Sequence, residues 1–202
     1  RGNIYYDYKD FEGAYRHFEK ARANNYQDPR MNYRMGYVNY RESDYSAALA
    51  EFHSTELYMK TNRNLLFALG NSLYFRNDYH AAQGYYKYLL ELLEQKRDRI
   101  EILEPDDNPE HRSLINFMMR TYNNLGVTMH RLSTLTRSRE KESEALVYLT
   151  RAAEHYDILE RLIVNPEAME RNKVKKSLPY LNQQHILYSQ PNYELSLYDE
   201  IP

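Results

Sequence analysis

The chain has 202 residues and no cysteine, which excludes disulfides, thiolate zinc sites and cysteine nucleophiles. Its formal net charge of −2 gives no overall attraction to nucleic acid or to an anionic membrane. The mean hydropathy is −0.86, and no apolar run approaches the roughly 20 residues of a membrane-spanning helix, so we expect no direct membrane insertion.

Two helical hairpins are predicted in the first part of the chain. Apolar residues recur at helical spacing over residues 1–8, 10–24, 29–41 and 45–58. Pro29 suits the first position of a helix, because its missing N–H costs little there. Gly2 would lie in the middle of the first helix, so we expect the sequence to be a fragment of a longer protein.

The remaining predicted helices are less regular. The apolar pattern predicts helices over residues 63–76, 79–103, 109–134, 141–163 and 166–176. The polar stretch 133–143 is longer than the other turns, and either a loop or extensions of both flanking helices would explain it. Residues 177–202 contain three prolines yet many apolar residues, so we expect an extended tail or linker that lies against another surface.

Four sets of residues repeat every 34 positions. They are Gly2, Gly36 and Gly70; Ala14, Ala48 and Ala82; Phe18, Phe52 and Tyr86; and Phe11, Tyr45 and Tyr79. Gly36 lies among large residues at helical spacing, which indicates a close contact between helices. A later unit with insertions keeps the pattern at Tyr122, Leu125, Gly126, Ala145, Leu149 and Ala152.

This 34-residue pattern of Gly, Tyr, Ala and Phe resembles the tetratricopeptide repeat (TPR) family. The resemblance implies an all-α fold, a right-handed α-solenoid of about four helix hairpins over residues 1–176. The units would cover residues 1–28, 29–62, 63–104 and 109–163, followed by the short helix 166–176. Residues 177–202 would form the extended C-terminal tail.

The resemblance also implies a binding site, because TPR proteins generally hold a peptide or partner protein in a concave groove lined by first helices. Counted from the repeat glycine, the groove positions are Arg30, Tyr33, Arg34, Tyr37, Tyr40, Arg41, Asn64, Phe67, Asn71, Tyr74, Arg120, Asn124 and His130. Tyrosine and arginine are enriched at binding hot spots. The alternative is that many of these tyrosines pack between neighbouring first helices.

No chemistry-bearing motif accompanies the repeats. The GxxxxGK[ST], GxGxxG, HExxH and GxSxG patterns are absent, and the seven histidines never pair at positions i and i+4. Basic clusters stand beside acidic residues or near helix ends, which disfavours a nucleic-acid partner. We therefore expect no catalytic residues, no metal site and no cofactor.

The sequence predicts a non-enzymatic scaffold that binds a peptide or partner protein in a tyrosine-rich groove and helps to organise a multi-protein assembly. One alternative is a regulatory or targeting module of a larger enzyme. Another is a self-associating element that uses residues 178–202. Bacterial envelope machines and motility apparatus use large TPR scaffolds, so the periplasm or cell envelope is one expected location and the cytoplasm another.

Overall fold

The computed structural model describes residues 1–103, 109–162 and 178–187, and these ranges contain nine α-helices and no strand. The helices are α1 (Gly2–Asp7), α2 (Phe11–Ala23), α3 (Pro29–Arg41), α4 (Tyr45–Glu56), α5 (Arg63–Phe75), α6 (Tyr79–Leu103), α7 (Pro109–Thr136), α8 (Arg139–Leu162) and α9 (Leu178–Leu187). The chain divides into two compact units, Arg1–Asp78 with α1 to α5 and Tyr79–Pro202 with α6 to α9.

The all-α fold class and the first eight helices are confirmed, each to within about two residues of its predicted ends. The overlong helix predicted to reach residue 103 is α6. The polar stretch 133–143 consists of extensions of both flanking helices, since α7 ends at Thr136 and α8 begins at Arg139. The predicted helix over 166–176 lies outside the described residues.

In three hairpins the two helices are in close contact at the repeat glycine. A methyl group placed on Gly36 would lie 2.6 Å from the Phe52 ring, and one on Gly2 would lie 2.7 Å from the Phe18 ring. A methyl group placed on Gly126 would lie 2.7 Å from the Leu149 side chain. The prediction that Gly36 marks a close helix–helix contact is confirmed.

The turns that follow α1, α3, α5 and α7 share one construction. One residue in each turn has a positive φ, between 51° and 63°: Lys9, Ser43, Asn77 and Arg137. The next residue donates its backbone N–H to the carbonyl five positions earlier, as Asp44 does to Asn39 at 2.9 Å. This is the hydrogen-bond pattern that closes a helix with a left-handed residue.

The residue after the left-handed position often begins the next helix as well. The Asp10 carboxylate accepts the N–H of Gly13 at 2.9 Å, and Asp44 accepts that of Ala47 at 3.0 Å. Each bond satisfies one of the free N–H groups of a helix N-terminus. Backbone and side-chain groups of the turn residues therefore both end the first helix and begin the second.

Unit 1 has further links between successive hairpins. Helix α2 contacts α3, and α4 and α3 both contact α5. Arg22 on α2 donates to both carboxylate oxygens of Glu51 on α4, at 2.8 and 2.5 Å. A bidentate guanidinium–carboxylate pair fixes the relative position of the two helices more firmly than a single contact would.

The prediction of an extended tail is wrong for residues 178–187, which form α9 and pack against α7 and α8. Pro179 lies in the first turn of α9, where its missing N–H does not break the helix. Pro179, Asn182 and Ile186 are buried and fall on one face. Residues 188–202 lie outside the described part of the chain.

The close contact at Gly36 predicts opposite effects for two glycine-to-alanine substitutions. Gly36→Ala should lower the free energy of unfolding by about 1–3 kcal/mol, because the buried Phe52 ring must move. Gly84→Ala on α6 should raise it by up to about 1 kcal/mol, because nothing lies within 4 Å of the added methyl group and alanine favours helix. Urea denaturation measures both, and equal effects would contradict the assigned contact.

The left-handed turn at Ser43 predicts a stabilising substitution. Ser43→Gly should raise the free energy of unfolding by about 0.5–1 kcal/mol, because glycine adopts a φ of 62° without steric cost. The control is Ser46→Gly, which places glycine inside α4 at an exposed position and should lower stability by about 0.5 kcal/mol. A loss of stability with Ser43→Gly would show that the backbone of Ser43 does not adopt the left-handed conformation in solution.

Candidate functional site

The aromatic residues predicted for the groove are buried. Their exposed fractions are 8% for Tyr33, 4% for Tyr37, 6% for Tyr40, 0% for Phe67 and 8% for Tyr74. Rings so little exposed do most of their work by packing between helices. The groups left to meet a partner are therefore the polar side chains that remain at least partly exposed.

One aromatic cluster joins α1, α2 and α3. The Tyr37 ring lies 6.0 Å from that of Tyr6 and 5.9 Å from that of Phe11, both in edge-on arrangements. The Arg34 guanidinium lies 4.9 Å above the Tyr6 ring, and that of Arg41 lies 5.0 Å above the Phe11 ring. Cations over aromatic faces are attracted by the electron-rich centre of the ring.

These two arginines are fixed further by polar contacts. Arg34 lies 3.5 Å from the Asp7 carboxylate, and Arg41 donates a hydrogen bond of 3.4 Å to the Tyr37 hydroxyl. Arg41 is exposed and Arg34 is partly exposed. The predicted groove residues Arg34, Tyr37 and Arg41 therefore belong to one cluster, in which Arg41 contacts the Tyr37 ring and Arg34 contacts the neighbouring Tyr6 ring.

A second cluster joins α3 to α5. The Asn71 amide donates to the Tyr40 hydroxyl at 3.1 Å, and both side chains are buried. The Tyr45 and Phe75 rings stack with centroids 4.6 Å apart, and Tyr74 meets Phe75 edge-on. Tyr40 and Asn71 thus link α3 to α5, whereas Tyr74 contacts a ring of its own helix.

Two further predicted residues of unit 1 remain partly or fully accessible. Arg30 is exposed in the first turn of α3, and no ion pair of Arg30 occurs within the described residues. Asn64 is partly buried, and its side-chain oxygen has no hydrogen-bond donor among the described atoms. A buried acceptor without a donor is uncommon in folded proteins, and a water or partner group would satisfy it.

The predicted residues of unit 2 lie on α7. The Arg120 guanidinium lies 5.8 Å from the Phe117 ring, and Asn124 is fully buried, with its side-chain oxygen accepting from the Asn123 amide at 3.2 Å. His130 is half-buried, and removal from water lowers the pKa of its imidazole. Asn124 is therefore a core residue, whereas Arg120 and His130 reach the surface in part.

A polar cluster in unit 2 was not predicted from the sequence. Tyr122 on α7 donates a hydrogen bond to Glu94 on α6, and Arg151 on α8 donates to the Tyr122 hydroxyl at 3.5 Å. Burial and the Glu94 carboxylate raise the pKa of Tyr122 to about 12, so its hydroxyl stays protonated near neutral pH. The cluster ties three helices together and supplies no phenolate nucleophile.

The prediction missed Glu94 because it lies on the part of α6 that exceeds the repeat. Tyr122 itself was recognised only as a repeat position. The packing of α6, α7 and α8 brings the Glu94 carboxylate, the Tyr122 phenol and the Arg151 guanidinium together. No sequence pattern predicts the distances between residues on three different helices.

Neither a metal site nor a membrane-spanning helix is found in the part of the chain that the structure describes. No group of three or more potential metal ligands comes together there. No helix in the same ranges combines the length and the apolar character that crossing a bilayer requires.

No protein-family model matches the chain, and no curated protein matches it.

The buried His155 and the half-buried His130 predict how stability depends on pH. His155 lies 5.1 Å from the Tyr122 ring, with Arg97, Glu94 and Glu154 nearby, and its Nδ1 lies 2.7 Å from the Arg151 carbonyl. Burial lowers the pKa of His155, as it does for His130. The unfolded chain therefore binds protons more readily than the folded chain does. The free energy of unfolding is highest above about pH 6.5 and falls as the pH drops through the lowered pKa values.

Denaturation midpoints between pH 7.5 and 5.5 measure this effect. His155→Phe keeps a ring in the core but cannot be protonated, so the loss of stability on acidification should be smaller than in the parent chain. The control is Phe117→Leu, which disturbs the core of the same unit without removing a titratable group and should therefore keep the slope of the parent. A slope in His155→Phe equal to that of the parent would show that His155 does not titrate as its burial requires.

Proposed function

We propose that the chain is a non-enzymatic interaction scaffold and that the first helices of unit 1 carry its recognition surface. The observation that supports this is the placement of Arg34 and Arg41 at 4.9 and 5.0 Å above the Tyr6 and Phe11 rings. An arginine already held in one position loses less conformational entropy when it binds a partner. The surface is therefore prepared for contact before any partner arrives.

The charge of these helices indicates what the partner offers. Helices α3 and α5 contain four arginines and no aspartate or glutamate. Arg34 has a carboxylate partner in Asp7 of α1, whereas Arg30 at the start of α3 has none within the described residues. Guanidinium groups donate several hydrogen bonds in a fixed plane and match carboxylates and carbonyls. The proposed partner is a peptide or protein segment that presents such acceptors.

The larger architecture belongs to the same proposal. A right-handed solenoid of about four TPR-like hairpins is supported by the equivalent contacts at Gly2, Gly36 and Gly126 and by the four turns of identical construction. In such an array, successive first helices line one surface. A helical array of this kind gives many unrelated proteins a surface for assembly, so the partner must be found by experiment.

Substitution of the arginines tests the recognition surface more sharply than truncation of the tyrosines would. Tyr33, Tyr37 and Tyr74 are at most 8% exposed, so replacing them with alanine would leave cavities and cost about 3 kcal/mol or more each. Loss of binding by such variants could reflect unfolding. Arginine side chains on the surface can be changed without opening the core.

The variant Arg30→Gln/Arg34→Gln/Arg41→Gln should lose the partner that the parent chain captures from a lysate of the source organism. The matched control is Lys9→Gln/Arg16→Gln/Lys20→Gln, which removes three exposed cations from the α1–α2 turn and α2. Quantitative mass spectrometry of the captured proteins and circular dichroism melting are measured for both variants. Equal capture by the two folded variants would contradict recognition through α3.

A further inference from the structure

We propose, building on the recognition surface proposed for unit 1, that Asp7 is an internal competitor for Arg34. The Asp7 carboxylate occupies Arg34 when no partner is bound and gives way to a carboxylate of the partner on binding. Asp7 thereby determines which acidic segments the first helices of unit 1 can hold.

Within α1, α3 and α5, all of which the structure describes in full, Asp7 is the only acidic residue. It is the last residue of α1, and the sequences of α3 and α5 contain neither aspartate nor glutamate. Asp7 lies 34 positions before Arg41, so the two residues take equivalent positions in successive first helices. The single negative charge of these helices thus lies at a predicted groove position.

Arg34 is the middle one of three arginines on one face of α3. Arg30, Arg34 and Arg41 follow each other at intervals of four and seven residues, and at about 100° per residue all three lie within about 40° of one another. Their Cα atoms are about 6 and 10 Å apart along the helix axis. A segment that runs along this face with three acceptors therefore meets Arg34 at its centre.

The contact between Asp7 and Arg34 is loose enough to be exchanged. The guanidinium nitrogen lies 3.5 Å from the carboxylate oxygen, which is longer than the about 2.7–2.9 Å of a charge-assisted hydrogen bond. The Asp7 side chain is 64% exposed, so water screens the attraction. A partner carboxylate can therefore replace Asp7 at little cost to the stability of the fold.

Arg34 has a second support that does not involve Asp7. Its guanidinium lies 4.9 Å above the ring of Tyr6, a residue that is only 6% exposed. The attraction between cation and ring holds Arg34 against α1 whether or not a carboxylate is present. Removing the charge of Asp7 therefore makes the Arg34 donors available without releasing the side chain from its position.

Competition at Arg34 makes the surface selective for segments that present several acceptors. A lone carboxylate has to displace Asp7 unaided, and the two groups carry the same charge. A segment already bound at Arg30 and Arg41 presents its central carboxylate to Arg34 at a high local concentration and displaces Asp7 readily. Asp7 thus acts as a repulsive element that rejects partners with too few acceptors.

Binding of fluorescein-labelled hexaglutamate to the full chain tests this role. Fluorescence anisotropy gives the Kd at low ionic strength, where exposed charges are least screened. Asp7→Asn keeps the shape of the side chain, removes its charge and should lower the Kd by about twofold to fivefold, the effect of one exposed ion pair. The matched control is Glu19→Gln, which removes one exposed negative charge from α2 and should bind as the parent chain does.

A double-mutant cycle separates competition at Arg34 from a general effect of charge. In the Arg34→Gln background, Asp7→Asn should give no gain in affinity, because the competitor has no guanidinium left to occupy. An equal gain in that background overturns the inference. Binding by Asp7→Asn that is absent, unchanged or weaker than that of the parent also overturns it, since Asp7 would then hold Arg34 in place or have no effect.

The variant Arg30→Gln/Arg34→Gln/Arg41→Gln distinguishes failure of this inference from failure of the recognition surface. If it binds hexaglutamate as tightly as the parent chain does, the peptide is bound elsewhere and both proposals are wrong. If it loses binding while Asp7→Asn gains nothing, the recognition surface stands and only the role of Asp7 is wrong. Circular dichroism melting of every variant checks that no change in Kd reflects unfolding.

Discussion

The structure depends on the close approach of two helices at the repeat glycines Gly2, Gly36 and Gly126. At Gly36 a single methyl group would meet the Phe52 ring at 2.6 Å, and the same relation recurs between Gly2 and Phe18. Because the backbone of the first helix lies directly on a large side chain of the second, each hairpin has one preferred crossing point. The turn then has only to reverse the chain. A residue in the left-handed backbone conformation, followed by an aspartate that caps the next helix, does this within a few residues.

Sequence periodicity predicted the first eight helices well, because their signals are local. Pro29 starts α3, and the apolar spacing carries α6 to Leu103 although this exceeds the repeat. The failure at α9 has a physical cause. Ten residues are too few to form a stable helix alone, and the groups that stabilise them, Asn123 and Asp157, lie 59 and 23 positions away in sequence. No local pattern can report such a partner.

The candidate site shows the same boundary between local and long-range information. The repeat places Arg34, Tyr37 and Arg41 on one helix face, and in the structure Arg41 contacts Tyr37 while Arg34 is connected to them through the Tyr6 ring. Periodicity could not say how much of that face the neighbouring helices cover. Tyr40, for example, lies at a groove position in the repeat but is buried together with Asn71 of α5.

The burial of the tyrosines changes what the arginines can do. A guanidinium on a flexible, solvated stem contributes little to specificity, because its entropy is lost whenever it binds. Arg41 instead rests against both the Phe11 and Tyr37 rings, at 5.0 and 6.0 Å, and those rings are held by the packing of α1, α2 and α3. The aromatic residues thus act on a partner indirectly, by fixing where the positive charges stand. The same packing that stabilises the hairpins therefore determines the geometry of the surface proposed for recognition.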